Sequence, residues 1–123
     1  MSDPGEALDL AVLDGLRDSV EGDTAFVIEL IEAFLADSAT QLDAIEAAVA
    51  AGDADALVRP AHTLKSASAT LGAMPLSAAA RTLEMAGRAG DLDEEAARTA
   101  ASSLRSDWQA AAAALNAWSD GNR

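Results

Sequence analysis

The sequence has no cysteine and no tyrosine, one histidine, one lysine and four aromatic residues. Each scarcity removes a class of explanation. Without cysteine there are neither disulfides nor thiolate metal sites. One histidine among dispersed carboxylates makes no recognisable ligand set, so no metal site is assigned. Eight lysines and arginines stand against 21 aspartates and glutamates, a formal net charge of −13. Phosphate contacts need clustered cations, and this balance argues against DNA or RNA as a partner. No apolar run approaches the roughly 20 residues of a membrane span, and the acidic start lacks the basic region of a signal peptide. A cytoplasmic protein without a membrane partner is expected. No Gly-rich nucleotide loop is present, which disfavours an autonomous ATP-using kinase.

What the chain does have is alanine and helical spacing. Half of its 123 residues are hydrophobic, and no strand-like alternation, internal repeat or low-complexity linker interrupts them. Turn signals divide the chain into five helices, over about 8–20, 24–51, 53–71, 75–89 and 93–118. The first is short and places Leu8, Val12 and Leu16 at four-residue spacing. The second aligns Val27, Ile31, Phe34, Leu42, Ile45 and Val49; Phe26, Leu30 and Leu35 beside that stripe make a broader apolar face that either holds the short first helix or stays partly exposed, packing being the favoured use. In the third, Leu57, Ala61, Leu64, Ser68 and Leu71 face inward, Pro60 predicts a kink or a start later than Asp53, and Gly72 is placed to stop the helix. The fourth opens at Pro75. The fifth carries a seam of Ala97, Ala100, Leu104, Trp108, Ala111, Leu115 and Trp118, with fraying expected after Ser119. Four such helices bury their stripes most simply as an all-α, up-down-up-down antiparallel bundle in one domain, with the short first helix across one end. Because each stripe is satisfied within one bundle, a monomer is expected.

The only histidine, His62, and the only lysine, Lys65, sit three residues apart in the third helix. At about 100° per residue, His62 lies roughly 140–150° from the inward stripe and points outward. Asp55, Val58, Arg59, Lys65, Ser66 and Ala69 share its face. Ser66 and Ala69 are small, so a partner surface can approach the ring closely. The motif itself contains no carboxylate to act as a general base. An unprotonated imidazole nitrogen needs none when it attacks phosphorus, and the Lys65 ammonium one turn away offsets phosphoryl charge. A passive surface histidine is the competing reading from spacing alone.

The segment His62-Thr63-Leu64-Lys65-Ser66-Ala67-Ser68, followed by Leu71-Gly72, resembles the phosphoacceptor motif of histidine-containing phosphotransfer (HPt) domains. Leu10 to Leu13, Phe34-Leu35, Ala51-Gly52-Asp53 and Leu83-Glu84 are similar to less specific framework features of that family. The resemblance implies a four-helix bundle whose exposed histidine carries phosphate between receiver-domain aspartates in a phosphorelay. On that basis His62 is the phosphoacceptor, through Nε2, Lys65 assists it, and Leu64 and Gly72 belong to the structural part of the motif. Many members carry glycine where this chain has Ser66.

The implied partners are response-regulator receiver domains and a hybrid or cognate histidine kinase. No cofactor is expected on this chain, since the receiver carries Mg²⁺. Val58, Arg59, Ser66 and Ala69 are the expected docking residues, and Arg59 and Lys65 relieve repulsion between an acidic chain and an acidic receiver pocket. Phe34, Asp37, Ser38 and Gln41 of the second helix are further docking candidates, with Phe34 better suited to the core. The alternative is a non-catalytic helical adaptor that binds the same partners without being phosphorylated.

Overall fold

The computed structural model describes residues 7–123. Five helices follow one another: α1 (Leu10–Ser19), α2 (Thr24–Ala51), α3 (Ala54–Thr70), α4 (Met74–Ala89) and α5 (Glu94–Gly121). No strand occurs among the described residues. Helix α3 packs between α2 and α4, and α5 closes the ring by packing on α4 and α2. Short connections between successive helices make this an antiparallel up-down-up-down bundle.

Carboxylates start most of the helices. Asp9, Asp23, Asp53 and Asp93 each accept a hydrogen bond from a backbone N–H of the first turn. These caps satisfy amide donors that a helix leaves open and put negative charge at its positive end. Helix α4 has no side-chain cap, and Pro75 near its start removes one of the open donors instead.

The core is almost entirely aliphatic. Val27, Ile31, Leu42 and Ile45 of α2 meet Leu57, Ala61 and Leu64 of α3, Leu76, Ala80 and Leu83 of α4, and Leu104, Ala111 and Leu115 of α5, all of them buried. Phe34 is buried with them, and Trp108 and Trp118 pack partly buried against the cluster. Ser38 was a docking candidate from sequence, but it is buried, and its hydroxyl accepts the Trp108 indole N–H at 2.7 Å. The indole needed a partner on leaving water, and Ser38 supplies it.

Three expectations change. Leu8 precedes α1 rather than opening it, although its side chain is buried. Helix α5 does not fray after Ser119: it continues to Gly121, with the Asn122 side chain donating to the Trp118 carbonyl at 2.7 Å. Phe26 takes the less favoured alternative, remaining 42% exposed near the start of α2. Helix α3 runs through Pro60 from its first residue, Ala54, and the proline ring is buried.

The α3–α4 turn also fastens α1. The Asp9 N–H donates to the Gly72 carbonyl at 2.8 Å. Gly72 has φ 81°, and a Cβ there would lie 2.7 Å from the Asp9 carbonyl oxygen and 2.9 Å from Val12 Cβ. Two independent demands therefore select glycine, a left-handed backbone and an absence of space. Gly72→Ala is expected to destabilise the fold by more than about 2 kcal/mol. Gly90→Ala is the control, because its φ is 75° but a Cβ would meet nothing. Denaturant unfolding followed by circular dichroism measures both, and equal losses would remove the steric part of the argument.

Candidate functional site

The site begins with how closely α3 and α4 approach. A Cβ on Gly87 would lie 2.9 Å from the Ala54 carbonyl oxygen and 2.9 Å from Val58 Cγ2, so any larger residue would push the helices apart. Further along the seam, the Ser77 hydroxyl donates to the Lys65 carbonyl at 2.8 Å. Glu84 precedes Gly87 by one turn and shares its side of α4. Its side chain is buried, which a carboxylate tolerates only with partners.

Glu84 has three partners, two of them on α3. Its Oε2 lies 2.9 Å from His62 Nδ1 and accepts from Arg88 Nε at 2.9 Å and Arg88 Nη2 at 2.7 Å. Its Oε1 lies 2.7 Å from Lys65 Nζ. The Lys65 ammonium first, and the Arg88 guanidinium next, outweigh burial and hold the Glu84 carboxyl down at about 2. Glu84 is therefore ionised at neutral pH.

An ionised carboxylate only accepts hydrogen bonds, so the hydrogen between it and His62 belongs to Nδ1. In the neutral ring this places the lone pair on Nε2. The ring is half exposed, and among the described residues Nε2 makes no hydrogen bond. The two cations outnumber the one carboxylate, leaving a single net positive charge beside the imidazole. A dipolar, oriented base next to a cationic spot suits attack on an electrophile that carries negative charge.

The predicted site residues do not all share one environment. His62, Arg59 and Ser66 are exposed on α3, as is Asp55. Ala69 is half-buried. Val58, expected on the docking face, is instead half-buried, with Cγ2 turned to Gly87 in the α3–α4 seam. Lys65 is also half-buried, drawn down by Glu84. Leu64 is fully buried, and Gly72 ends the helix in the left-handed conformation. On the opposite flank of α3, a groove of about 280 Å³ runs between α2 and α3, lined by Leu30, Phe34, Gln41, Thr63, Ala67 and Leu71. Asp37 is exposed at this groove and Gln41 is half-buried.

The motif around His62 contains no carboxylate partner for the ring. The partner comes from the next helix. Its signal was in the composition, since Glu84 is the only carboxylate between Asp55 and Asp91.

Among the described residues, no helix is long and apolar enough to cross a membrane. A family model described as "Hpt domain" matches residues 29–118. No curated protein sequence matches the chain. The structure is similar to the crystal structure of histidine-containing phosphotransfer protein B (HptB) from Pseudomonas aeruginosa PAO1, with a TM-score of 0.84 and 28% identity over 95% of this chain and 97% of that one. The matched span contains α3, α4 and every group that touches Glu84, and the chain belongs to the Hpt domain family.

Proposed function

We propose that the protein carries a phosphoryl group on Nε2 of His62, taking it from the aspartyl phosphate of one receiver domain and passing it to the aspartate of another. The observation that carries this reading is the Glu84–His62 contact, which orients the ring and leaves the Nε2 lone pair facing outward. In the transfer, the Nε2 lone pair attacks phosphorus in line. An N–P bond forms as the P–O bond to the aspartyl carboxylate breaks, and the carboxylate leaves with the electron pair.

No proton has to move. The positive charge that develops on the ring is spread to Nδ1–H, where the Glu84 carboxylate offsets it. Phosphoimidazole that keeps its Nδ1 proton is a good leaving group, so the same arrangement serves the return step to a second aspartate. Lys65 acts twice in this reading: it keeps Glu84 ionised, and its remaining ammonium donors meet the phosphoryl oxygens. The receiver supplies Mg²⁺. It docks over Arg59, Ser66 and Ala69 and reaches into the α2–α3 groove, where Gln41 and Asp37 border apolar side chains.

Incubation with a phosphorylated receiver is expected to label the protein with phosphate that is acid-labile and alkali-stable, and His62→Gln is expected to abolish the label. Label surviving in that variant would overturn the assignment, and no label on the wild type would favour the adaptor. Glu84→Gln retains a hydrogen-bond acceptor but not the charge, and should slow transfer about ten- to a hundredfold at saturating receiver. An unchanged rate would remove Glu84 from the mechanism.

The depressed Glu84 carboxyl also predicts a pH dependence. The group's ordinary value is 4.5, and its folded value is about 2. The stability it contributes is therefore complete above about 4.5 and is lost as pH falls from there through about 2. The stability gap between wild type and Glu84→Gln should shrink over that interval, as measured by denaturant unfolding at pH 7, 4 and 3. A gap constant with pH would contradict the ion pairing.

A further inference from the structure

Six of the eight cationic side chains are held in ion pairs. Arg17 pairs with Asp14, Lys65 and Arg88 with Glu84, Arg98 with Glu94, Arg105 with Glu46, and Arg123 with Glu32. The two that pair with no carboxylate among the described residues are Arg59 and Arg81, both exposed. In a chain of net charge −13, unpaired arginines are unexpected, since acid is abundant nearly everywhere. Both lie on the α3–α4 hairpin, where four cations meet only two carboxylates, Asp55 and Glu84.

Their placement around α4 is specific. At about 100° per residue, Arg88 lies roughly 40° from Glu84, Arg81 roughly 60°, and Met85 roughly 100°, all in one direction. Ser77 falls between them and Glu84, about 20° round, and it touches the Lys65 carbonyl. The edge of α4 that emerges beside α3 is thus Arg81, Met85 and Arg88. Met85 is 55% exposed, the largest exposure among the large hydrophobic residues described. On the other flank of His62, α2 carries five carboxylates and neither lysine nor arginine.

We infer that this edge of α4, centred on Arg81 and Met85, is a contact strip for the receiver domain, gripping carboxylates that rim the receiver's phosphorylation pocket. The inference rests on the phosphotransfer reading and adds to it which side of His62 attracts the partner. Screening confines charge effects to about 8 Å at physiological salt, so a partner in contact feels the local cations rather than the net charge of the chain. Docking on Arg81 breaks no internal pair. Met85 is unbranched and polarizable, so it adapts to the different faces of a donor and an acceptor.

The test uses full-length protein and receiver domains from the same genome charged with acetyl phosphate. Transfer is followed by rapid quench across receiver concentration and ionic strength. Arg81→Glu is expected to raise the half-saturating receiver concentration about tenfold at low salt, leave the saturating rate unchanged, and converge with wild type as salt rises. Met85→Ala should raise it about threefold without changing the salt dependence. Arg98→Glu on α5 is the off-face control and should match wild type. If Arg81→Glu behaves like Arg98→Glu while wild type is phosphorylated, the strip is overturned and the phosphotransfer reading stands. If wild type accepts no phosphate from any receiver, both fall. Thermal melting of each variant separates loss of docking from loss of folding, and Arg81→Gln, with an intermediate rise, provides the same test without charge reversal.

Discussion

Glu84 has to be charged, and the arrangement around His62 follows from that requirement. A buried carboxylate without partners would take up a proton rather than remain ionised. Lys65 and Arg88 prevent this, and in doing so they are themselves pinned. Once ionised, Glu84 dictates where the His62 hydrogen sits and how the ring is turned. The same contact that answers a folding problem, a charge in the interior, also leaves Nε2 as the nitrogen that the proposed transfer uses. In that reading stability and reactivity are one electrostatic arrangement rather than two in competition.

The bundle delivers that carboxylate through the closeness of two helices. Gly87 lets α4 lie against the backbone of α3 at Ala54, and the Ser77 hydroxyl ties the seam near Lys65. Between those two points Glu84 has only one direction to go, across to His62 and Lys65. The Gly72 turn then keeps the hairpin short and hooks α1 onto the same end. Neither glycine touches the imidazole, yet both determine the register in which α3 and α4 face each other. A site made of side chains on rigid, adjacent helices is held more tightly than one carried on a loop.

Much of this was legible in the chain. Spacing of three and four residues placed Val27, Leu42, Leu57, Leu64, Leu104 and Leu115 in the core, and the aspartate caps explain where most helices start. The outward direction of His62 followed from its angle to the Leu57–Leu64 stripe. What periodicity within one helix does not encode is which neighbour lies alongside and at what height. For that reason periodicity leaves Glu84 among the framework positions, turns Val58 outward although it faces the seam, and puts Ser38 at the surface although it serves Trp108. Phe26 stays partly exposed, because helical spacing alone makes a residue eligible for burial without deciding how fully a neighbour covers it.

In the proposed phosphotransfer the carrier meets a donor and then an acceptor and must release each of them, and its charge distribution bears on how. Most of the surface is acidic, and α2 offers an approaching acidic partner no cation at all. The α3–α4 hairpin reverses the sign over a short distance. A partner with an acidic pocket is therefore repelled in most orientations and attracted in one, which narrows the search and holds the docked partner through charge that salt screens. In that reading the phosphoryl group brings negative charge beside Lys65 and Arg88 and offsets part of the local positive excess. In the proposed transfer, the phosphorylated carrier is a weaker attractor for an acidic pocket than the empty one, which favours release of the spent donor.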